Sequence, residues 1–131
     1  MTKHVLLLED DLLTVSAIAK GLVELEEEIT PNDIALTVYS TYKDVEELVN
    51  PYSLDKYDLI LLDRDCKLTG SFHVLDIEKF GPKKIISISS TPQWNTEAKA
   101  RGIDTVVLKT YEDINSFTNK LIKEIKIKLG V

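Results

Sequence analysis

Five short apolar runs, rich in β-branched residues, punctuate the chain: VLLL from Val5, IALTVY from Ile34, LILL from Leu59, IISIS from Ile85 and TVVL from Thr105. Between them the apolar period changes from that of a buried strand to that of a helix. After the first run Leu12, Val15, Ile18, Ala19, Leu22 and Leu25 fall on one stripe, with Lys20, Glu24 and Glu28 opposite. Ile114, Phe117, Leu121, Ile125 and Leu129 repeat the stripe after the last run, where Lys120, Lys123, Lys126 and Lys128 suit the negative end of the helix dipole. The punctuation in between agrees. Thr41 and Asp44 are placed to cap a second helix that Pro51 ends, residues 71–80 predict a short third one closed by Gly81-Pro82, and Thr91, Pro92 and Gly102 stand as N-cap, N1 and C′ of a fourth. The interval from Ile85 to Thr105 is short, leaving that fourth helix about two or three turns. Glu24, Glu26, Glu27 and Glu28 read as a solvated helix end leading into a loop over residues 30–33.

Strands apolar on both faces and separated by helices imply a parallel sheet covered on both sides, and right-handed crossovers leave few ways to connect it. The predicted fold is a flavodoxin-like (βα)5 three-layer α/β sandwich, a parallel five-stranded sheet of order 2-1-3-4-5, formed by residues 1–131 as one domain. An α+β domain with some antiparallel pairing is the alternative. The 131 residues suffice for one buried core and no second domain is expected; 44% hydrophobic and 29% charged residues argue against disorder.

Charge and cysteine content then remove several classes of function. A net charge of −6, with no basic cluster, makes direct nucleic-acid binding a poor expectation. The single Cys66 rules out an internal disulfide, and beside the acids its thiol pKa would be raised, which argues against a reactive thiolate. His4 and His73 have no partners at zinc-ligand spacing. The first residues hold an apolar run too short for a signal sequence, and no stretch is long enough to span a membrane, so a cytoplasmic location is expected.

In an open parallel sheet, ligands bind outside the carboxyl ends of the strands, where the strand order reverses. The first strand ends in Glu9-Asp10-Asp11, the third in Asp63-Arg64-Asp65, the fourth in Ser89-Ser90-Thr91 and the fifth in Lys109-Thr110. If strands 1 and 3 are neighbours, Glu9, Asp10 and Asp63 share one edge, and three carboxylates repel there unless they share a hard divalent cation. All-oxygen ligands, only two or three of them with water and a phosphoryl group to fill the gaps, favour Mg²⁺ over calcium or zinc. With Lys109 as a point charge and Ser89 as a hydroxyl, the set is suited to a phosphoryl group carried on Asp63. Each residue also has a plainer reading. Glu9-Asp10-Asp11 would serve as the acidic N-terminus of the first helix, Ser89 and Thr91 as caps and Lys109 as a solvated charge. Asp65 either terminates the strand or places a second acid near the phosphoryl position. Trp94 faces either the core or a partner.

In this order and at strand ends, VLLLEDD, LILLD, IISISS and VVLK make the chain resemble the receiver domain of two-component response regulators, of the single-domain chemotaxis type, from His4 to about Leu129. The resemblance implies Asp63 as phosphoacceptor, Ser89 as the hydroxyl switch residue, Lys109 as the essential lysine and Tyr111 as the aromatic beyond it. It implies Mg²⁺ held by Asp10, Asp63 and the main-chain carbonyl of Asp65, with Glu9 acting through water. It also implies phosphate received from a histidine kinase or histidine phosphotransfer protein, a downstream protein target, and a monomer or weak dimer that catalyses at most its own phosphorylation and dephosphorylation. Counting back from Lys109 without a gap would select Ser87 instead of Ser89, but only Ser89 lies at the strand's end. Four positions depart from the pattern: Thr110 replaces the usual proline, Lys67 a loop proline, Ser71 a loop glycine with Gly70 one residue early, and Val106 the usual aromatic. The departures at Val106, Thr110 and Lys67 favour a second possibility, a pseudo-receiver that docks without being phosphorylated. A third, a haloacid-dehalogenase-type phosphatase, would use Asp63 and Asp65 as nucleophile and general acid, but lacks the expected threonine at Lys67 and a further acidic pair after Lys109.

Overall fold

The computed structural model describes residues 1–52, 55–65 and 72–131. Its strands are β1 (Thr2–Leu8), β2 (Asp33–Tyr39), β3 (Leu59–Asp63), β4 (Ile85–Ser89) and β5 (Thr105–Leu108), paired in parallel in the order β2-β1-β3-β4-β5. The sheet and order anticipated from the apolar runs are therefore present. Val5–Leu8 of β1 and Leu59–Asp63 of β3 are buried throughout, because their alternate side chains enter two separate cores. Burying each such leucine stabilises the fold by about 1.5–3 kcal/mol.

One core lies beneath α1 (Leu12–Glu28) and α5 (Ile114–Leu129), which pack against each other. Gly21 permits the close approach: a Cβ there would stand 2.8 Å from Ile122 Cγ1. The other core lies beneath α2 (Tyr42–Asp44), α3 (Ile77–Phe80) and α4 (Pro92–Ala100). No helix among the described residues is long and apolar enough to cross a membrane.

The structure corrects several local expectations. The inward stripe of α1 is Thr14, Ile18, Gly21, Leu22 and Leu25, with Val15 only partly buried, whereas Leu12 is 78% exposed. Asp11 sets this phase by capping the helix, its Oδ2 accepting from Thr14 N at 3.1 Å and Thr14 Oγ1 at 2.5 Å, which turns Thr14 inward. Glu26 is not merely solvated, since its Oε2 accepts from Ile34 N at 2.8 Å, and Glu28 pairs with Lys126. After α2, capped by Thr41 as expected, residues Val45–Val49 widen into a π-turn closed by Asn50 N to Val45 O at 2.8 Å.

The third helical segment is split into a 3₁₀ turn, Phe72–Val74, and α3. Asp76 causes the break by accepting from Lys79 N at 3.2 Å and capping a new helix in mid-segment. Gly81, at φ +90°, ends α3. Thr91 precedes α4 in the N-cap position but makes no side-chain cap, and Gly102 follows the helix at φ +95°. The expectations for Cys66, Lys67, Gly70 and Ser71 lie outside the described residues.

Candidate functional site

The strand order places the ends of β1 and β3 side by side, and the acids that follow them converge. One carboxylate oxygen from each of Glu9, Asp10 and Asp63 lies within 4.8 Å of the others. Glu9 and Asp63 are buried and Asp10 half-buried. Glu9 Oε2 accepts from the N–H groups of Asp10 (3.0 Å) and Asp11 (3.2 Å), so the turn into α1 supplies donors that orient it. Lys109, carried by the end of β5 and buried, reaches across to Glu9 Oε1 at 2.9 Å and Asp63 Oδ1 at 3.4 Å. Its ring neighbour is half-exposed Tyr111, whose centroid is 5.2 Å from Nζ.

The acids outnumber the cation, and the consequence falls on Asp63. Burial, followed by the Glu9 carboxylate beside it, pushes its carboxyl pKa up to about 9. Burial alone would lower the Lys109 ammonium, but the carboxylates of Asp63 and Glu9 more than offset this and hold it above the ordinary lysine range. Asp63 Oδ1 also accepts from Asp65 N at 3.0 Å, whereas Asp63 Oδ2 is buried without any hydrogen-bond partner. An orphaned carboxylate oxygen among other acidic oxygens fits a hard divalent cation well: the donor set is all oxygen, and positive charge is what it lacks.

Ser89 is buried at the end of β4 and donates to Asp65 Oδ1 at 2.6 Å. Ser87, the other candidate, donates to Asn95 Oδ1 at 2.9 Å inside the α4 layer, away from the acids. Asp65 also accepts from Ser90 and lies 3.4 Å from Lys109 Nζ. Partial burial opposes its ionisation, but the Ser89 hydrogen bond and then the Lys109 charge hold its pKa below the ordinary value. Val106 packs against the core beneath α4, and Thr110 Oγ1 donates to Asp113 O at 3.3 Å.

Three further residues, none of them expected at the site, complete the surroundings. Arg64 is 1% exposed, forms an ion pair with Glu97 of α4, and leaves Nε and Nη1 without partners. His73 contacts Arg64 O through Nε2 at 3.0 Å and meets half-buried Trp94 edge-on at 4.5 Å. Buried Asn95 bridges Ser87 and Val107 O. A basic residue between two acids at the end of an apolar strand was the available signal for Arg64; no short-range pattern marked its partner.

No family model and no curated protein sequence matches the chain. Solved structures do match it. The phosphorylated cyanobacterial phytochrome response regulator RcpA superposes with a TM-score of 0.68 at 16% identity, covering 96% of this chain and 92% of that one. The Mn²⁺-bound form of response regulator Rcp1 gives 0.66 at 17% identity, with 95% and 91% covered. A response regulator receiver domain from Rhodospirillum rubrum gives 0.63 at 16%, with 95% and 94% covered. Sheet order and superposition together place the chain among flavodoxin-like α/β proteins. Within that class it has the fold of response regulator receiver domains.

Proposed function

We propose that the protein is a phosphorylatable receiver in which Asp63 accepts a phosphoryl group in a Mg²⁺-dependent reaction and the phosphorylated form signals through protein contact. The observation that carries this reading is the buried, unpartnered Oδ2 of Asp63, set among Glu9, Asp10 and Lys109. Glu9, Asp10 and Asp63, with the main-chain carbonyl of Asp65, would hold the cation. When bound, the cation would neutralise charge between these acids and the phosphoryl oxygens.

In the transfer, a carboxylate oxygen of Asp63 attacks phosphorus while the bond from phosphorus to the donor's leaving group breaks, its electron pair departing with the donor. The product is an aspartyl phosphate. Lys109, fixed between Glu9 and Asp63, neutralises charge accumulating on the phosphoryl oxygens, and Ser89 is placed to donate to one of them. The phosphodonor is a histidine kinase or a histidine phosphotransfer protein, consistent with the response-regulator fold.

The phosphatase reading is less well supported. Asp65 would have to deliver a proton, yet it is held as a carboxylate by Ser89 and Lys109. Incubation with acetyl phosphate and Mg²⁺, followed by intact mass, is expected to show one added phosphoryl group that Asp63→Asn abolishes. Absence of any adduct at saturating donor would leave a docking module with the same fold.

A further inference from the structure

Asp65 gathers more donors than an acid that merely ends a strand requires. Its Oδ1 accepts from Ser89 Oγ at 2.6 Å and Ser90 N at 2.9 Å, its Oδ2 accepts from Ser90 N at 3.2 Å and Ser90 Oγ at 3.0 Å, and Lys109 Nζ stands 3.4 Å from Oδ2. A hydroxyl and a main-chain N–H from the end of β4, with an ammonium from the end of β5, form an anion cradle directly beside Asp63. The cradle is fixed from behind, because Ser89 Oγ also accepts from Thr91 N at 2.9 Å and Lys109 is pinned by Glu9. A phosphoryl group on Asp63 has several oxygen acceptors and, fully ionised, no donor, so it would call on the same hydroxyl, N–H and ammonium.

We propose that the Asp65 carboxylate is a resident stand-in for the phosphoryl group, occupying the Ser89–Ser90–Lys109 cradle in the unphosphorylated protein, so that phosphorylation exchanges one anion for another. The inference rests on Asp63 being the acceptor. Two consequences follow from like-charge competition for one set of donors. The incoming phosphoryl group must displace the Asp65 side chain, which slows its capture. Ser89 and Lys109 are already drawn to an anion at rest, so the turn from β4 into α4 rearranges little on phosphorylation of the natural chain and more once Asp65 is removed.

The test compares the natural chain with Asp65→Asn, Asp65→Ala and Asp63→Asn. Initial rates of adduct formation from acetyl phosphate and Mg²⁺ are followed by intact mass, and the Ser90 amide resonance is followed by NMR with and without Mg²⁺ and beryllofluoride. Removing the competing carboxylate is expected to speed adduct formation about fivefold in Asp65→Ala, with Asp65→Asn between it and the natural chain. The Ser90 amide should shift upfield in Asp65→Ala and return downfield when beryllofluoride and Mg²⁺ fill the cradle. If Asp65→Ala does not fold, Asp65→Asn, which keeps the shape and removes the charge, carries the comparison with an expected gain of about twofold. An adduct forming on the natural chain no more slowly than on the Asp65 variants, or a Ser90 amide indifferent to the substitution, overturns this proposal and leaves Asp63 as acceptor. No adduct and no beryllofluoride response in any variant ends the acceptor reading and this proposal with it.

Discussion

On one side of the sheet α1 and α5 run for 17 and 16 residues, while on the other the longest helix among the described residues, α4, runs for 9. The long pair is joined by continuous apolar packing around Leu22, Leu25, Phe117 and Leu121. The short layer is tied by single polar side chains as much as by packing. Asn50 binds Val74 O and Asp76 N, Asp76 starts α3, and Arg64 reaches Glu97. The chemistry divides along the same line. Glu9 and Asp10 sit where β1 enters α1, so the stiff half carries the acids that would hold a cation. Arg64, Asp65 and Ser89 face the layer whose arrangement depends on a few hydrogen bonds and charges. A change of charge at Asp63 should therefore be absorbed by the short-helix side while the long-helix side holds still.

The harshest test of that contrast is Phe117→Ala. Phe117 is 1% exposed within the core beneath α1 and α5, and its truncation should cost about 3–5 kcal/mol in urea denaturation. A loss under about 1 kcal/mol would mean that the long-helix half can collapse around a void and is not the stiff one.

A smaller effect is expected in the short-helix layer, from Glu97→Ala. It strips Arg64 of its one ion-pair partner among the described residues and leaves a buried guanidinium, at a cost of about 2 kcal/mol, reduced from that of a wholly buried pair because Glu97 is itself 40% exposed. Combining it with Arg64→Met should recover most of that loss. If the double variant is no more stable than Glu97→Ala alone, the pair is not what ties α4 to the end of β3.

Asp63→Asn should act in the opposite direction. With its carboxyl pKa raised from 3.8 to about 9, the folded chain holds a proton that the unfolded chain releases. The stability that Asp63 contributes is therefore whole below about pH 4 and is lost as pH rises to about 9. Asparagine, which cannot ionise, escapes that loss. Without Mg²⁺ the variant should equal the natural chain near pH 4 and exceed it by about 4 kcal/mol at pH 7, a gap that widens toward pH 9. Added Mg²⁺ should close the gap by stabilising only the natural chain. Melting curves across pH that run parallel for the two proteins would show that Asp63 is not the destabilised acid of the cluster.

How much of this was readable in the sequence depended on the range over which each feature is determined. β1 and β3 stood out because both faces of a central parallel strand are covered, which writes a run of four apolar residues into each, and β4 shows the same run broken only by buried Ser87. The meeting of Glu9, Asp10 and Asp63 followed from strand order alone, since acids at the ends of adjacent strands have nowhere else to go. The break at Asp76 was not readable, because an aspartate within a helical pattern does not announce whether it caps a new helix or faces water. Nor were the Arg64–Glu97 pair and the grip of Ser89 and Ser90 on Asp65. These contacts join residues 24 to 33 positions apart through side-chain rotamers, which no periodicity records.

The phase of α1 offers the mildest test, confined to the stiff half. The helical stripe in the sequence takes in both Leu12 and Leu22, yet Leu22 is 4% exposed and Leu12 is 78% exposed, because Asp11 turns Thr14 inward at the first turn. Leu12→Gln should therefore change stability by no more than about 0.5 kcal/mol, while Leu22→Ala on the same helix should cost about 2–4 kcal/mol. Asp11→Ala bears on the cause of the phase: it removes the carboxylate that accepts from both Thr14 N and Thr14 Oγ1. If Leu12→Gln becomes costly in that background, the Asp11 cap sets which leucine faces the sheet. If it stays neutral, the inward packing of Ile18, Leu22 and Leu25 fixes the phase without help from the cap, and the long-helix layer owes its order to apolar contact alone.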